Sequence, residues 1–173
     1  MTELARTSEQ RKRDTLERLE HDVDAWVATA GEAGGAPWLV PLSFLWDGNS
    51  LLIATPASSV TGRNLWENGR VRIGIGPTRD LVLIEGTART LADGELPDEV
   101  GDAFAIRTGF DPRQLRPSYT FIRIYPVRIQ AWREARATVI KVVLMRSCGS
   151  RNGGSRSAAG PVSPGRAPHR SPR

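Results

Sequence analysis

Two apolar runs joined by a tight-turn signal constrain the fold of this chain more than any other feature. The runs WLVPLSFLW (38–46) and LLIAT (51–55) are separated by the sequence DGNS. Asp-Gly between two apolar runs favours a β-hairpin, because such a turn needs residues that tolerate positive φ. The sequence therefore predicts two antiparallel strands here, and the alternating run 23–30 predicts a third strand ahead of them.

The rest of the chain adds three strands and three helices to this hairpin. Helices are predicted at residues 8 to about 20 with Ser8 as the cap, at 63–68 ended by Gly69, and in PDEVGDAFAIRTG (97–109). Strands are predicted in RVRIGIG, DLVLIEGTARTL and YTFIRIYPVRIQAWRE, the last bent or bulged at Pro126. Six or so antiparallel strands with short helices favour a closed or nearly closed barrel, which leaves few exposed edges. We expect a mostly β fold with short helices.

The positive charge of the chain is concentrated in its C-terminal segment. The net charge is +5, but residues 135–173 hold 8 of the 24 Lys and Arg and no acidic residue. Residues 1–134 contain the remaining 16 basic residues and all 19 acidic residues, so this part of the chain has a net negative charge. We interpret residues 146–173, rich in Ser, Gly, Pro and Arg, as a disordered tail. No aromatic residue interleaves its arginines, so we expect no specific nucleic-acid contact. The alternative is a basic arm that makes sequence-independent, salt-sensitive contacts to RNA, DNA or anionic lipid.

The cysteine content and the N-terminal sequence indicate the compartment. The one cysteine, Cys148, excludes a disulfide framework and a cysteine zinc site within the chain. The start MTELARTSEQRKRDTLERLE has no apolar core typical of a secretory signal, and no run reaches membrane-spanning length. We expect a cytoplasmic protein with no membrane contact, divided into a helical lead-in (1–20), a folded domain (21–145) and the tail (146–173).

Histidine is too scarce for the common protein-only catalytic sites. The two histidines are His21 and His169, and none lies between them, so no Ser-His-Asp arrangement can be built on the strands. No paired histidines flank a carboxylate, so we predict no metal site. We predict no catalytic side chain either. If this barrel carries out chemistry, a bound cofactor supplies it.

The loop and short helix after the third strand offer the best candidate site for a cofactor phosphate. Its candidate ligands are Ser58, Ser59, Thr61, the N–H of Gly62, Arg63 and Asn64. Free N–H groups at a helix start carry the positive end of the helix dipole, which suits a phosphate, and Arg63 can add a bidentate contact. The alternative is a capped helix start with Ser59 or Thr61 as N-cap and Arg63 exposed.

The order of these segments resembles the pyridoxamine 5′-phosphate oxidase-like family, whose members are flavin- and deazaflavin-binding split β-barrels. The resemblance covers about residues 23–134. It rests on Pro41-Leu42-Ser43, the Asp47-Gly48 turn, the pattern S-x-x-x-R-N-L, the strand with E-G-T-A, and RIQAWRE. It implies an FMN-binding split-barrel homodimer that transfers a hydride between FMN and a small organic substrate. The alternatives are a reductase dependent on the deazaflavin coenzyme F-420, and a non-catalytic protein that binds flavin or haem.

The resemblance also implies a place for each part of the cofactor. The ring would contact Pro41, Leu42, Ser43 and Thr55, the phosphate would lie near residues 58–64, and Trp132, with Arg133, would approach from the partner subunit.

Three departures from the family pattern qualify this expectation. Val60 and Thr61 stand where family members carry an Arg-Lys pair. The absence of this pair suits the deazaflavin better than FMN. The Arg/His motif for pyridoxal phosphate is missing, so oxidation of vitamin B6 is not expected. The sequence after about Ala137 departs from the family's final strand, as a shift of reading frame would produce.

Overall fold

The computed structural model describes residues 6–31, 35–133 and 141–143 of the chain. Their helices and strands are, in chain order, α1 (Ser8–His21), β1 (Asp24–Thr29), β2 (Trp38–Trp46), β3 (Leu51–Pro56), α2 (Val60–Asn68), β4 (Arg70–Ile75), β5 (Asp80–Thr90), α3 (Asp98–Thr108), a 3-10 turn (Pro112–Gln114), β6 (Tyr119–Arg133) and β7 (Lys141–Val143). The predicted tail and the predicted departure near Ala137 lie outside these residues.

Six strands close into an antiparallel barrel. The sheet order is β3-β2-β1-β4-β5-β6, and β3 also pairs with β6, which closes the barrel. The 15 residues of β6 allow this, because its first half pairs with β3 while β5 pairs along most of its length. Strand β7 adds to the second half of β6. The mostly β fold and the closed barrel predicted from the sequence are confirmed.

A β-bulge interrupts the pairing of β5 with β6 at the predicted proline. Glu85 pairs with Arg128 but Gly86 pairs with Pro126, so Val127 is an extra residue on β6. A Cβ on Gly86 would lie 2.9 Å from Cγ2 of Ile124 and 3.0 Å from the carbonyl oxygen of Tyr125. Only glycine fits at this crossing without displacing the neighbouring strand, and the bulge turns Val127 outward.

The barrel interior and the underside of α3 form two separate apolar cores. Inward-facing side chains of all six barrel strands fill the interior together with Leu19 of α1; among them are Val27, Phe44, Ile53, Ile73, Ile84 and Ile124. A second cluster, centred on Leu52 and Phe104, packs α3 over the outer side of β3 and its neighbours. Helix α3 therefore covers one side of the barrel, and the outer side of β1, β4 and β5 is left without a helix of this kind.

The helix boundaries correct two predictions. Thr7, not Ser8, caps α1: its hydroxyl accepts the Gln10 N–H at 3.1 Å while the Gln10 side chain accepts the Thr7 N–H at 2.8 Å. Helix α2 begins at Val60, three residues before the predicted start, because Ser59 caps it. Its predicted end is confirmed, with Gly69 in the left-handed conformation at φ +62°.

Candidate functional site

Ser59 organises the loop between β3 and α2. Its hydroxyl accepts the Gly62 N–H at 2.9 Å and lies 3.0 Å from the hydroxyl of Thr55, and its own N–H donates to the Pro56 carbonyl at 2.9 Å. The loop is thus a tight, side-chain-capped helix start. Of the two N-cap candidates that the sequence offered, Ser59 and Thr61, the structure uses Ser59.

Two of the predicted phosphate ligands are enclosed by this turn. The side chain of Thr61 is only 2% exposed. A Cβ on Gly62 would lie 2.8 Å from the carbonyl oxygens of both Pro56 and Ala57, so the helix start packs directly on the preceding loop. The expectation of a free Gly62 N–H is wrong, because Ser59 takes that donor.

The start of α2 combines two exposed side chains with two backbone donors that lack an acceptor. Ser58 and Arg63 are exposed, and the Arg63 guanidinium donates to the carbonyl oxygen of Ser58. Within the described residues, the N–H groups of Val60 and Thr61 have no hydrogen-bond acceptor. Because these unpaired donors carry the positive end of the helix dipole, the N-terminus of α2 with Arg63 can hold an anion.

Asn64 joins this helix to the end of β1. Its side-chain amide donates to the hydroxyl of Thr29 at 3.0 Å, and Thr29 is buried. Asn64 itself is half-buried, so its amide orients α2 on the barrel and is committed to that contact.

The residues predicted to contact a ring divide between the two faces of the sheet. Pro41 is exposed on the outer side, and the half-buried Ser43 donates its hydroxyl to Asp24 at 2.7 Å. Leu42 packs against the barrel core, as the alternation of side chains along β2 requires. Thr55 is buried. The outer surface near Pro41 and Ser43 is therefore the part of this set that a flat ring can reach.

Sequence reasoning missed an apolar surface beside Pro41. The register places Pro41, Trp26, Gly74 and Leu83 in one row across β2, β1, β4 and β5. Trp26 is 53% exposed, Leu39 57% and Leu83 41%. We call Trp26, Leu39, Pro41, Gly74 and Leu83 the outer apolar face. The available signal was a tryptophan at the outward position of an alternating strand, where a polar residue is usual.

Trp132 and the α2 loop lie at opposite ends of this surface within one chain. Trp132 pairs with Leu81, close to the β1 end that begins with Asp24, whereas the loop contacts Thr29 at the other end. The six residues of β1 separate these ends by about 17 Å. One chain therefore does not bring Trp132 to the predicted phosphate ligands.

Asp80 is the main electrostatic centre beside Trp132. Its carboxylate accepts hydrogen bonds from Arg133 at 2.7 Å, Arg6 at 2.9 Å and Arg18 at 3.3 Å. Burial alone would raise the pKa of Asp80, but the Arg133 hydrogen bond and the charges of the three arginines outweigh it and lower the pKa overall. The carboxylate stays ionised and fixes the end of β6.

The described part of the chain offers neither a metal-ligand cluster nor a membrane-spanning helix. No cluster of three or more His, Cys, Asp or Glu side chains is arranged to hold a metal ion. No helix in these residues is long and apolar enough to cross a bilayer.

Solved structures show where this barrel occurs. General stress protein 26 from Bacillus anthracis aligns with a TM-score of 0.58 at 18% identity, over 78% of this chain and 98% of that chain. An F-420 reductase aligns with a TM-score of 0.53 at 19% identity, over 65% and 93% of the two chains. A haem storage protein from Vibrio cholerae aligns with a TM-score of 0.54 at 19% identity, over 66% and 89%. At these identities the likeness shows the fold alone.

The sequence supplies the family. A comparison with curated proteins finds no match. The sequence model of the pyridoxamine 5′-phosphate oxidase family, however, matches residues 14–133, a range that runs from the middle of α1 to the end of β6. This chain belongs to the pyridoxamine 5′-phosphate oxidase family.

Proposed function

We propose that this protein binds FMN and transfers a hydride between the flavin and a small organic substrate. The observation that carries the proposal is the start of α2, where the Val60 and Thr61 N–H groups, which have no acceptor among the described residues, lie beside the exposed Arg63. An anion there would gain two backbone donors and one guanidinium, which fits the phosphate of a flavin.

The neighbouring surface fits the remainder of the cofactor. The outer side of β2 offers the exposed Pro41 and the hydroxyl of Ser43. An apolar wall with a few polar groups is the usual surround of a flat ligand. When bound, a flavin supplies the hydride chemistry, and the protein contributes binding, orientation and exclusion of water.

The assembly that we propose is a homodimer whose outer apolar faces meet. Trp132 and the α2 loop lie at opposite ends of one chain, so a two-fold related copy can bring the Trp132 of one subunit to the loop of the other. The exposed Trp26, Leu39 and Leu83 supply the apolar area that such an interface needs. Each site would then be built from both subunits.

The deazaflavin coenzyme F-420 is the alternative cofactor. The start of α2 carries Val60 and Thr61 where the family pattern has an Arg-Lys pair, which leaves Arg63 as the cation of this loop. An F-420 reductase shares the fold. A loop with fewer cations holds a phosphate less tightly, so it favours a cofactor that is bound more through groups other than this phosphate.

A non-catalytic binder is the proposal's rival from another class. A non-catalytic protein that binds flavin differs from the enzyme only in that the bound flavin does not turn over a substrate. Its haem form needs an axial ligand, and the histidine within the described residues, His21, lies exposed at the end of α1 with Nδ1 2.8 Å from the Glu17 carbonyl oxygen. No described residue favours haem over a flavin.

Visible absorption spectroscopy of the purified protein tests the proposal. Saturable binding of FMN, followed by reoxidation of the reduced cofactor by an added organic acceptor, supports an FMN oxidoreductase. Uptake of F-420 in place of FMN moves the proposal to the alternative cofactor. Stoichiometric binding without turnover of any acceptor supports the flavin-binding protein. Binding of neither cofactor overturns the proposed function.

A further inference from the structure

A second concave site lies on the outer side of the barrel, away from the start of α2. It is a cavity of about 870 Å³ where the end of β1, the start of β4 and the middle of β5 meet the bulge of β6. The lining residues that matter here are Pro37, Asn68, Arg70, Arg72, Glu85 and Val127. Its volume lies within the range of small-molecule sites, roughly 300–1,000 Å³.

The sheet register creates the polar wall of this cavity. Arg72 pairs with Glu85 and Arg70 pairs with Thr87. The two arginines are two residues apart on β4, so their side chains lie on the same outer face. The bulge pushes Val127 out of the ladder next to them, and Val127 is exposed. A cationic wall and an apolar wall therefore meet at one depression.

The floor of the cavity is held in place by Asn68. Its side-chain amide donates to the Ala30 carbonyl at 2.5 Å, and its side-chain oxygen accepts the Arg70 N–H at 2.8 Å. These two bonds tie the end of β1 to the start of β4. The backbone that carries Arg70 is thus fixed before any ligand binds.

The two arginines of the cavity make few hydrogen bonds and ion pairs within the described residues. The Arg70 guanidinium has no hydrogen bond or ion pair in this part of the chain. Arg72 has one ion pair, with Glu85 at 3.4 Å, between side chains that are 72% and 41% exposed. An exposed pair at this length contributes little, so Arg72 is available to a competing anion.

A second carboxylate limits where an anion can lie. Oε2 of Glu67 lies 3.5 Å from the position that a Cβ on Gly31 would take, and Gly31 lines the cavity. Glu67 therefore stands at the rim near β1, and Arg70 and Arg72 stand on β4. The positive potential is confined to the β4 side of the cavity.

We propose that this cavity binds a small organic anion. Its carboxylate or phosphate group lies between Arg70 and Arg72, displacing Glu85 from Arg72, and its apolar part packs against Val127. Two guanidinium groups can chelate such a group with several charge-assisted hydrogen bonds. The site is separate from the proposed flavin site, because Asn68 lies at the opposite end of α2, about 12 Å from its start.

Calorimetric titration with phenyl phosphate, benzoate and inorganic phosphate tests the site. We expect phenyl phosphate or benzoate to bind more tightly than inorganic phosphate, because only the ring can pack against Val127. The tighter of the two ring compounds identifies the anionic group. Arg70→Gln and Arg72→Gln should each weaken binding by about tenfold or more. Glu85→Gln should tighten it, since Arg72 then has no competing carboxylate.

The matched control is Arg13→Gln, which removes the same charge from an exposed position of α1. Affinities of Arg70→Gln and Arg72→Gln equal to that of Arg13→Gln would overturn the proposal, as would an unchanged or weaker affinity of Glu85→Gln. The titration is repeated with saturating FMN, or with F-420 if only that cofactor binds. Unchanged phenyl phosphate binding keeps the two sites separate, and competition would assign the anion to α2 and overturn this inference. If neither cofactor binds, the variant series still decides the second site.

Discussion

The Asp80 carboxylate accepts a hydrogen bond from Nη2 of Arg133 at 2.7 Å, which ties the last residue of β6 to the first residue of β5. The same carboxylate accepts Arg6 and Arg18, so the α1 segment is joined to the barrel at this point. Because Arg133 follows Trp132, the contact also restrains the strand end that we propose to cover the cofactor of a second subunit.

Removing the charge of Asp80 should change how stability depends on pH. The folded pKa of Asp80 is lowered, so its contribution to stability is present above the pKa of the unfolded chain, about 3.9, and is lost as the pH falls through the folded value. We expect Asp80→Asn to lower the urea midpoint at pH 6 and to reduce its fall between pH 6 and pH 3. Asp93→Asn, at an exposed aspartate, is the control. Equal pH dependence in both variants would contradict the assignment.

A side chain at Gly62 should destabilise the loop that carries the proposed phosphate site. A Cβ there meets two carbonyl oxygens at 2.8 Å, whereas a Cβ on Gly35 meets no atom within 4 Å. Crowding of this kind usually costs about 1–3 kcal/mol. We expect Gly62→Ala to lower the free energy of unfolding in urea by that amount and Gly35→Ala to change it little. Similar values for the two variants would show that the loop can shift away from α2.

The sequence predicted the fold well, because its strands are separated by strong local signals. The alternation of β1, β4 and β5, the Asp47-Gly48 turn and the glycine after α2 each depend on neighbours in the chain. Pro126 marked the bulge for the same reason, since proline cannot donate to the ladder. The start of α2 was placed too late, because either Ser59 or Thr61 satisfies the pattern of an N-cap. The hydrogen bond from the Gly62 N–H to the Ser59 hydroxyl, which appears only in the structure, identifies Ser59 as the cap.

The candidate site was less accessible to sequence reasoning than the fold. Six of the seven residues 58–64, all but Val60, were candidate phosphate ligands, but the structure buries Thr61 and ties Asn64 to Thr29. The cavity at Arg70 and Arg72 depends on the register of three strands and a bulge. No local pattern in RVRIGIG distinguishes those two arginines from solvated ones.

Arg63 should contribute to cofactor affinity without contributing to the fold. It is exposed, and its contact within the described residues is the carbonyl oxygen of Ser58. We expect Arg63→Ala to weaken FMN binding by about 1.5–3 kcal/mol, roughly 10- to 150-fold, the size of a charged hydrogen bond. Fluorescence titration with FMN measures this, with Arg13→Ala as a control of equal charge change. An unchanged dissociation constant in Arg63→Ala would remove Arg63 from the site.

A charge placed on the outer apolar face should separate the proposed dimer. Leu83 is 41% exposed at the β5 end of the outer apolar face, and Ile106 on α3 is 85% exposed on another side of the barrel. Leu83→Lys buries a charge only if the faces meet, so we expect it to convert a dimer into monomers in sedimentation velocity, while Ile106→Lys leaves the dimer intact. Because the proposed site needs Trp132 from the partner, the Leu83→Lys monomer should also lose most of its FMN affinity. A Leu83→Lys protein that stays dimeric would place the interface elsewhere, and a monomer with full FMN affinity would show that one chain builds the site alone.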